Sequence, residues 1–129
     1  MLLFVYGTLK KGGKYHFYLG EAALVAEHAM ANGTLYDTGM GYPAMVKSAQ
    51  GEIQGQVYDI PEELWPAIDD LEGWHTNQAE TDLFDKQTTE VFANGEVMKT
   101  IVYVANAKLP LKEKVETGVW DVRVTQEQA

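Results

Sequence analysis

Apolar residues fall along this chain in short runs broken by turn residues, and one stretch repeats at helical spacing. Leu2–Val5 is wholly apolar over four residues, the pattern of a short strand buried on both faces. It stops at Tyr6-Gly7-Thr8, where a basic, glycine-rich stretch begins, and His16–Leu19 reads as a single helical turn. Residues 22–36 are mixed. Ala23-Leu24-Val25-Ala26 suits a helix, Asn32-Gly33 signals a turn or bulge, and Thr34-Leu35-Tyr36 suits a strand. Asp37-Thr38-Gly39-Met40-Gly41-Tyr42-Pro43 is dense in turn residues. Its proline fixes its own φ and pushes Tyr42 into an extended conformation. Residues 44–47 follow as a short strand, Ala49-Gln50-Gly51 as a turn, and 52–60 as a second strand in which Gly55 marks a bulge.

Helical periodicity appears once. Pro61-Glu62-Glu63 carries the proline and acids of a helix first turn. Leu64, Ile68 and Leu71 then recur at i, i+4 and i+7 and give one buried face. Gly73 is placed to end that helix in a left-handed conformation. Residues 86–92 and 97–104 are strands joined through Ala93-Asn94-Gly95-Glu96, and Asn-Gly between β-branched runs is a strong hairpin signal. Val119-Trp120-Asp121-Val122-Arg123-Val124 looks extended. The sum is an α+β chain: a small mixed β-barrel with one or two packed helices, read as a single domain over residues 1–129.

Composition narrows the function. A chain of 129 residues, 46% hydrophobic and 22% charged, is an ordinary globular one, and no apolar run approaches the roughly 20 residues of a membrane-spanning helix. The formal charge is −9. Eleven of the 19 acids lie between Asp59 and Glu96, where Lys86 is the only Lys or Arg. Such a surface repels phosphate backbones and anionic membranes, so neither nucleic acid nor a membrane is an expected partner. Without cysteine there is no disulfide, no thiolate catalysis and no Cys-based zinc site. His16, His28 and His75 stand far apart and form no metal-ligand motif. The N-terminal apolar run is too short for a signal-peptide core, so the expected compartment is cytoplasmic.

Two segments carry candidate chemistry. Gly7, at the break between strand and loop, allows close approach to main-chain amides, and converging amides there suit an anion or a developing oxyanion. The stretch has neither the P-loop spacing nor Gly-x-Gly-x-x-Gly; a plain strand and loop is the alternative. The second segment is Ile68-Asp69-Asp70-Leu71-Glu72-Gly73, which puts three acids and no base at a helix C-terminus. The negative end of the helix dipole and Asp69 at i−3 both disfavour ionisation of Glu72, and burial beside Trp74 acts in the same direction. A carboxylate tuned upward is what a general base near neutral pH requires. The alternative is three solvated surface acids.

Four segments in order resemble the gamma-glutamylcyclotransferase family in its small AIG2-like branch, which includes gamma-glutamylamine cyclotransferases. They are Phe4-Val5-Tyr6-Gly7-Thr8-Leu9-Lys10-Lys11-Gly12, Gly41-Tyr42-Pro43-Ala44, Gly55-Gln56-Val57-Tyr58-Asp59-Ile60 and Ile68-Asp69-Asp70-Leu71-Glu72-Gly73, with Tyr103-Val104 and Gly118-Val119-Trp120 beyond. The match spans almost the whole chain. The resemblance implies a compact barrel with a cavity at one end, and an enzyme that converts a small gamma-glutamyl amine or amino acid into 5-oxoproline and the free amine, with no metal and no organic cofactor. It puts the substrate loop on Tyr6, Gly7, Thr8 and Leu9, and the catalytic acid/base on Glu72. Tyr42 and Pro43 are read as a rigid loop at the cavity mouth, with a plain turn as the alternative, and Tyr6 as a cavity wall rather than a chemical participant.

The sequence also departs from the family. Phe84 stands where a tyrosine is usual, Tyr15 where an asparagine is frequent, and the polar loop over 73–81 is longer than the family's connections. Trp65 and Trp120 are assigned to packing; His16 and His75 are read as structural or exposed side chains, with a place near the site as the alternative, and Lys10 and Lys11 as a solvated loop, with attraction of an anionic substrate as the alternative. Two other readings stand beside the enzyme: a non-catalytic small-molecule or partner-binding barrel on the same scaffold, and a transferase that passes the glutamyl group to an external amine. The leaving amine and the oligomeric state are not legible in the sequence.

Overall fold

The computed structural model describes residues 1–73 and 83–122. The predicted loop over 73–81 from residue 74 on, with Trp74 and His75, lies outside the described residues, as do Arg123 and Val124. The strands are β1 (Leu2–Val5), β2 (Ala23–Asp37), β3 (Pro43–Asp59), β4 (Phe84–Ala93), β5 (Glu96–Ala105) and β6 (Glu113–Lys114). One α-helix, α1 (Trp65–Leu71), follows a 3₁₀ turn over Glu62–Leu64, and a second 3₁₀ turn covers His16–Leu19.

The hydrogen-bonded order β3-β1-β5-β4-β2 closes on itself through β2–β3, so five strands form a barrel, and β6 adds to the end of β2. The β1–β5 pair is parallel and the others antiparallel, which makes the barrel mixed, as its sequence implied. Asn94 and Gly95 have φ of 53° and 76° at the β4–β5 turn, the conformation that Asn-Gly hairpins supply.

Strand alternation divides the core in two. Phe4, Val57, Val102 and Val104 point into the barrel with Leu35, Met45, Ile53 and Trp120. Their neighbours Leu3, Val5, Tyr58 and Tyr103 point out of it, onto Trp65 and Ile68 of α1. This explains why β1 is apolar on both faces. A helix of seven residues does not hold by itself in water; burial of Trp65 and Ile68 against the barrel wall holds it.

Three expectations are corrected. Residues 23–26 are strand rather than helix, because Ala23, Leu24 and Ala26 pair with Asp59, Tyr58 and Val57 of β3, and this pairing overrides the local propensity. Gly33 does mark an irregularity: the register shifts between Asn32 and Gly33, and a β-carbon on Gly33 would stand 2.8 Å from the Val46 carbonyl oxygen. Residues 44–47 and 52–60 are one strand, not two. Between Lys47, opposite Gly33, and Glu52, opposite Asn32, the residues 48–51 have no partner on β2 and bulge outward with Gly51 at φ +88°. The turn signal was real, but the chain continues along the same neighbour. Residues 119–122 carry no strand pairing either. Trp120 instead plugs the barrel interior, 6% exposed, and β6 is the terminal pairing. Among the described residues no helix is long and apolar enough to cross a membrane.

Candidate active site

The chain leaves β1 at Tyr6 and turns at once. Lys10 N–H donates to the Gly7 carbonyl at 3.0 Å, and Tyr15 N–H donates to the Thr8 carbonyl at 3.0 Å. The His16 ring places Nδ1 2.9 Å from the Leu9 carbonyl oxygen, where a protonated Nδ1 donates. The carbonyls of Gly7, Thr8 and Leu9 are therefore all engaged on the outside of the loop. Their amides donate to no group among the described residues. A run of unengaged buried amides is a preformed place for an anion.

Glu72 caps the C-terminus of α1, its amide donating to the Ile68 carbonyl at 3.0 Å. Gly73, at φ +68°, ends the helix as its sequence position predicts. Ile68 is fully buried and pins this last turn, so the carboxyl group of Glu72 is presented by a fixed element. Burial of that carboxyl pushes its pKa up to about 7. The direction matches the expectation, but the cause is desolvation. The expected repulsion from Asp69 is absent because Asp69 is occupied elsewhere. Its carboxylate is 3.0 Å from Lys86 Nζ on β4 and accepts the Tyr103 hydroxyl.

These elements meet around one cavity of about 220 Å³. That is smaller than the roughly 300–1,000 Å³ of pockets for drug-sized ligands, and suits a group the size of an amino acid. All seven residues proposed from the sequence line it: Tyr6, Gly7, Thr8, Leu9, Tyr42, Pro43 and Glu72. Tyr6 is a wall with both ends of its hydroxyl committed, since it donates to the Tyr103 carbonyl at 2.7 Å and accepts the Met45 amide at 3.1 Å. Burial, then the charge of Glu72, raise its pKa. Tyr42 packs against Phe84, ring centroids 6.1 Å apart, so Phe84 makes an aromatic edge to the cavity. Burial, and after it the charge of Glu72, raise the pKa of Tyr42 also.

Other candidates fall elsewhere. Lys10 is not on the cavity: its Nζ donates to the Trp120 carbonyl at 2.8 Å and ties the loop to the barrel plug. Burial lowers its pKa, opposed by the charge of Asp121. Lys11 is exposed, and its amide donates to Gln56 Oε1 at 3.0 Å. His16 buttresses the loop from behind and stacks near Tyr58. His75 lies outside the described residues. Tyr103 lines the cavity without having been singled out as a site residue. The signal for it was a tyrosine set among valines in a strand, an amphipathic ring whose hydroxyl needs a partner when buried.

Comparison with known proteins bears on the family and the fold. Residues 3–122 match the family model described as Gamma-glutamyl cyclotransferase, AIG2-like. The chain is 38% identical over 104 residues to gamma-L-glutamyl-butirosin B gamma-glutamyl cyclotransferase of Niallia circulans, covering 81% of this chain and 66% of that one. It is similar to the crystal structure of YkqA from Bacillus subtilis, with a TM-score of 0.75 and 30% identity over 92% of this chain and 39% of that one. It shares the fold of an AIG2-like protein of Mus musculus, with a TM-score of 0.65 and 20% identity over 90% of this chain and 88% of that one. The chain thus spans just under two thirds of the butirosin relative and well under half of YkqA.

Proposed function

The chain belongs to the gamma-glutamyl cyclotransferase, AIG2-like family, and from that premise and the cavity we propose that it cyclises the gamma-glutamyl group of a small gamma-glutamyl amine or amino acid to 5-oxoproline. One observation carries the reading: a carboxyl group with its pKa raised to about 7 lines the same small cavity as three consecutive residues whose amides donate to no group among the described residues.

The chemistry needs little else. The substrate's α-amine is the nucleophile and its γ-carbonyl carbon the electrophile, so no serine or cysteine is required. The Glu72 carboxylate takes a proton from the α-ammonium, and the freed nitrogen attacks the γ-carbon. The new C–N bond closes a five-membered ring and leaves a tetrahedral oxyanion. Glu72 returns the proton to the departing nitrogen as the old C–N bond breaks and the carbonyl re-forms; the ring nitrogen, which still carries two protons, gives one to the regenerated Glu72 carboxylate, and that proton leaves on the released amine as its ammonium. A carboxyl of pKa near 7 suits both directions of that transfer. The amides of Gly7, Thr8 and Leu9 supply the anion contacts, to the α-carboxylate or to the oxyanion. Tyr42, Pro43 and Tyr6 hold the glutamyl chain folded for attack. No metal or organic cofactor has a step in this scheme.

The test is detection of 5-oxoproline by mass spectrometry from a panel of gamma-glutamyl amino acids and amines. Release of 5-oxoproline with one equivalent of amine supports the reading. Transfer to an added acceptor amine in place of ring closure would point to a transferase. Binding of panel members without any product would point to the non-catalytic barrel.

A further inference from the structure

Two tyrosines, Tyr6 and Tyr103, line the cavity, and the hydrogen bonds of their hydroxyls differ. Tyr6 donates and accepts, to the Tyr103 carbonyl and from the Met45 amide. Tyr103 only donates, to Asp69 Oδ1, and among the described residues nothing donates to it. Asp69 is held for that purpose. Lys86 Nζ is 3.0 Å from one of its carboxylate oxygens and 3.2 Å from the other, and the lysine itself sits 4.4 Å from the centroid of the Trp65 ring. Both side chains of the pair are 18% exposed. A phenol has one proton and two lone pairs. With the proton fixed on Asp69, the Tyr103 oxygen can act toward the cavity only as an acceptor. Glu72 and Tyr103 line the same cavity. Glu72 is a single carboxyl, whereas the proposed substrate brings an ammonium with three N–H donors.

We propose that Tyr103 Oη accepts an N–H of the substrate's α-amine and orients it for attack on the γ-carbonyl, with Asp69 and Lys86 as positioning residues that keep the hydroxyl proton turned away. This rests on the cyclotransferase reading above. The hydrogen bond is made to the nucleophile and not to the leaving group, so Tyr103 selects for the α-amine itself.

The experiment compares wild type with Tyr103→Phe on two ligands: the best gamma-glutamyl substrate, and the matching glutaryl amide, in which hydrogen replaces the α-amine. Tyr103→Phe keeps the ring in the core and leaves Asp69 paired with Lys86. Its kcat/KM on the gamma-glutamyl substrate is expected to fall about 10- to 100-fold, the effect of one hydrogen bond to a charged group. The inhibition constant of the glutaryl amide is expected to stay unchanged. Asp69→Asn gives the same pattern with a smaller loss, and serves if Tyr103→Phe does not fold. Equal losses for both ligands, or no loss for either, overturn the proposal while leaving the cyclotransferase reading intact. A wild-type protein that releases no 5-oxoproline overturns both.

Discussion

Gly7 lies against Pro43 so closely that a β-carbon at Gly7 would stand 2.7 Å from the proline Cγ and 2.9 Å from Cδ. The loop after β1 and the start of β3 meet at this contact, and both line the cavity. Backbone φ at Gly7 is not positive, so an alanine there meets a steric cost alone. A proline ring has little freedom to yield. Gly7→Ala is expected to lower stability by about 1–3 kcal/mol and to reduce kcat/KM, because the amides of residues 7–9 shift with the loop. Thermal unfolding and steady-state kinetics on the same preparation check this.

Tyr6 is placed as a strut. Removing its hydroxyl leaves the Tyr103 carbonyl and the Met45 amide without that partner in a buried setting. Tyr6→Phe is expected to cost about 1–3 kcal/mol of stability and to leave turnover close to wild type at temperatures where both are folded. A loss of turnover without a loss of melting temperature would give Tyr6 a chemical part instead.

The raised pKa of Glu72 has a cost with a definite sign. The carboxyl moves from 4.5 to about 7 on folding, so the folded state holds its proton more tightly than the unfolded state. Stability is then fully present below pH 4.5 and is lost as pH rises toward 7, by on the order of 3 kcal/mol. Glu72→Gln is neutral at every pH. It is expected to melt higher than wild type at pH 8, with the difference vanishing near pH 4. Activity runs the other way: the base form is required, so kcat/KM in wild type is expected to fall as pH drops below about 7. Unfolding curves and rate profiles over this range check both signs.

Lys10 is bound to the Trp120 carbonyl and does not face the cavity. Lys10→Met is therefore expected to lower stability by about 1 kcal/mol and to leave KM unchanged at low salt. A rise in KM that disappears at high ionic strength would restore the lysine as a collector of anionic substrate.

The parts of the site that were legible in the sequence are those written locally. The apolar run into Gly7, the i, i+4, i+7 face ending in Glu72, and the Tyr42-Pro43 loop each encode their own geometry over a few residues. The run into Gly7, the helix end at Leu71-Glu72 and the Tyr42-Pro43 loop all line the cavity. Contacts between distant elements were not legible. Asp69 looked like an uncompensated acid beside Glu72, because its cation, Lys86, arrives from β4. Lys10 looked like a free cation, because its acceptor lies 110 residues away. Residues 23–26 looked helical, because alanine and leucine favour helix until a neighbouring strand, β3, claims their backbone. Tyr103 was hidden by its strand, where alternation alone marks it as half of a core pair and says nothing of the hydroxyl.

The most direct test of the account is the rate of 5-oxoproline release by Glu72→Gln beside wild type, on the best substrate of the panel at pH 8. Glutamine keeps the size and burial of the side chain but cannot carry the proton between the two nitrogens. The account predicts a folded variant, at least as stable as wild type, whose kcat is reduced by about 10²–10⁴-fold. A folded Glu72→Gln that releases 5-oxoproline at the wild-type rate would contradict it.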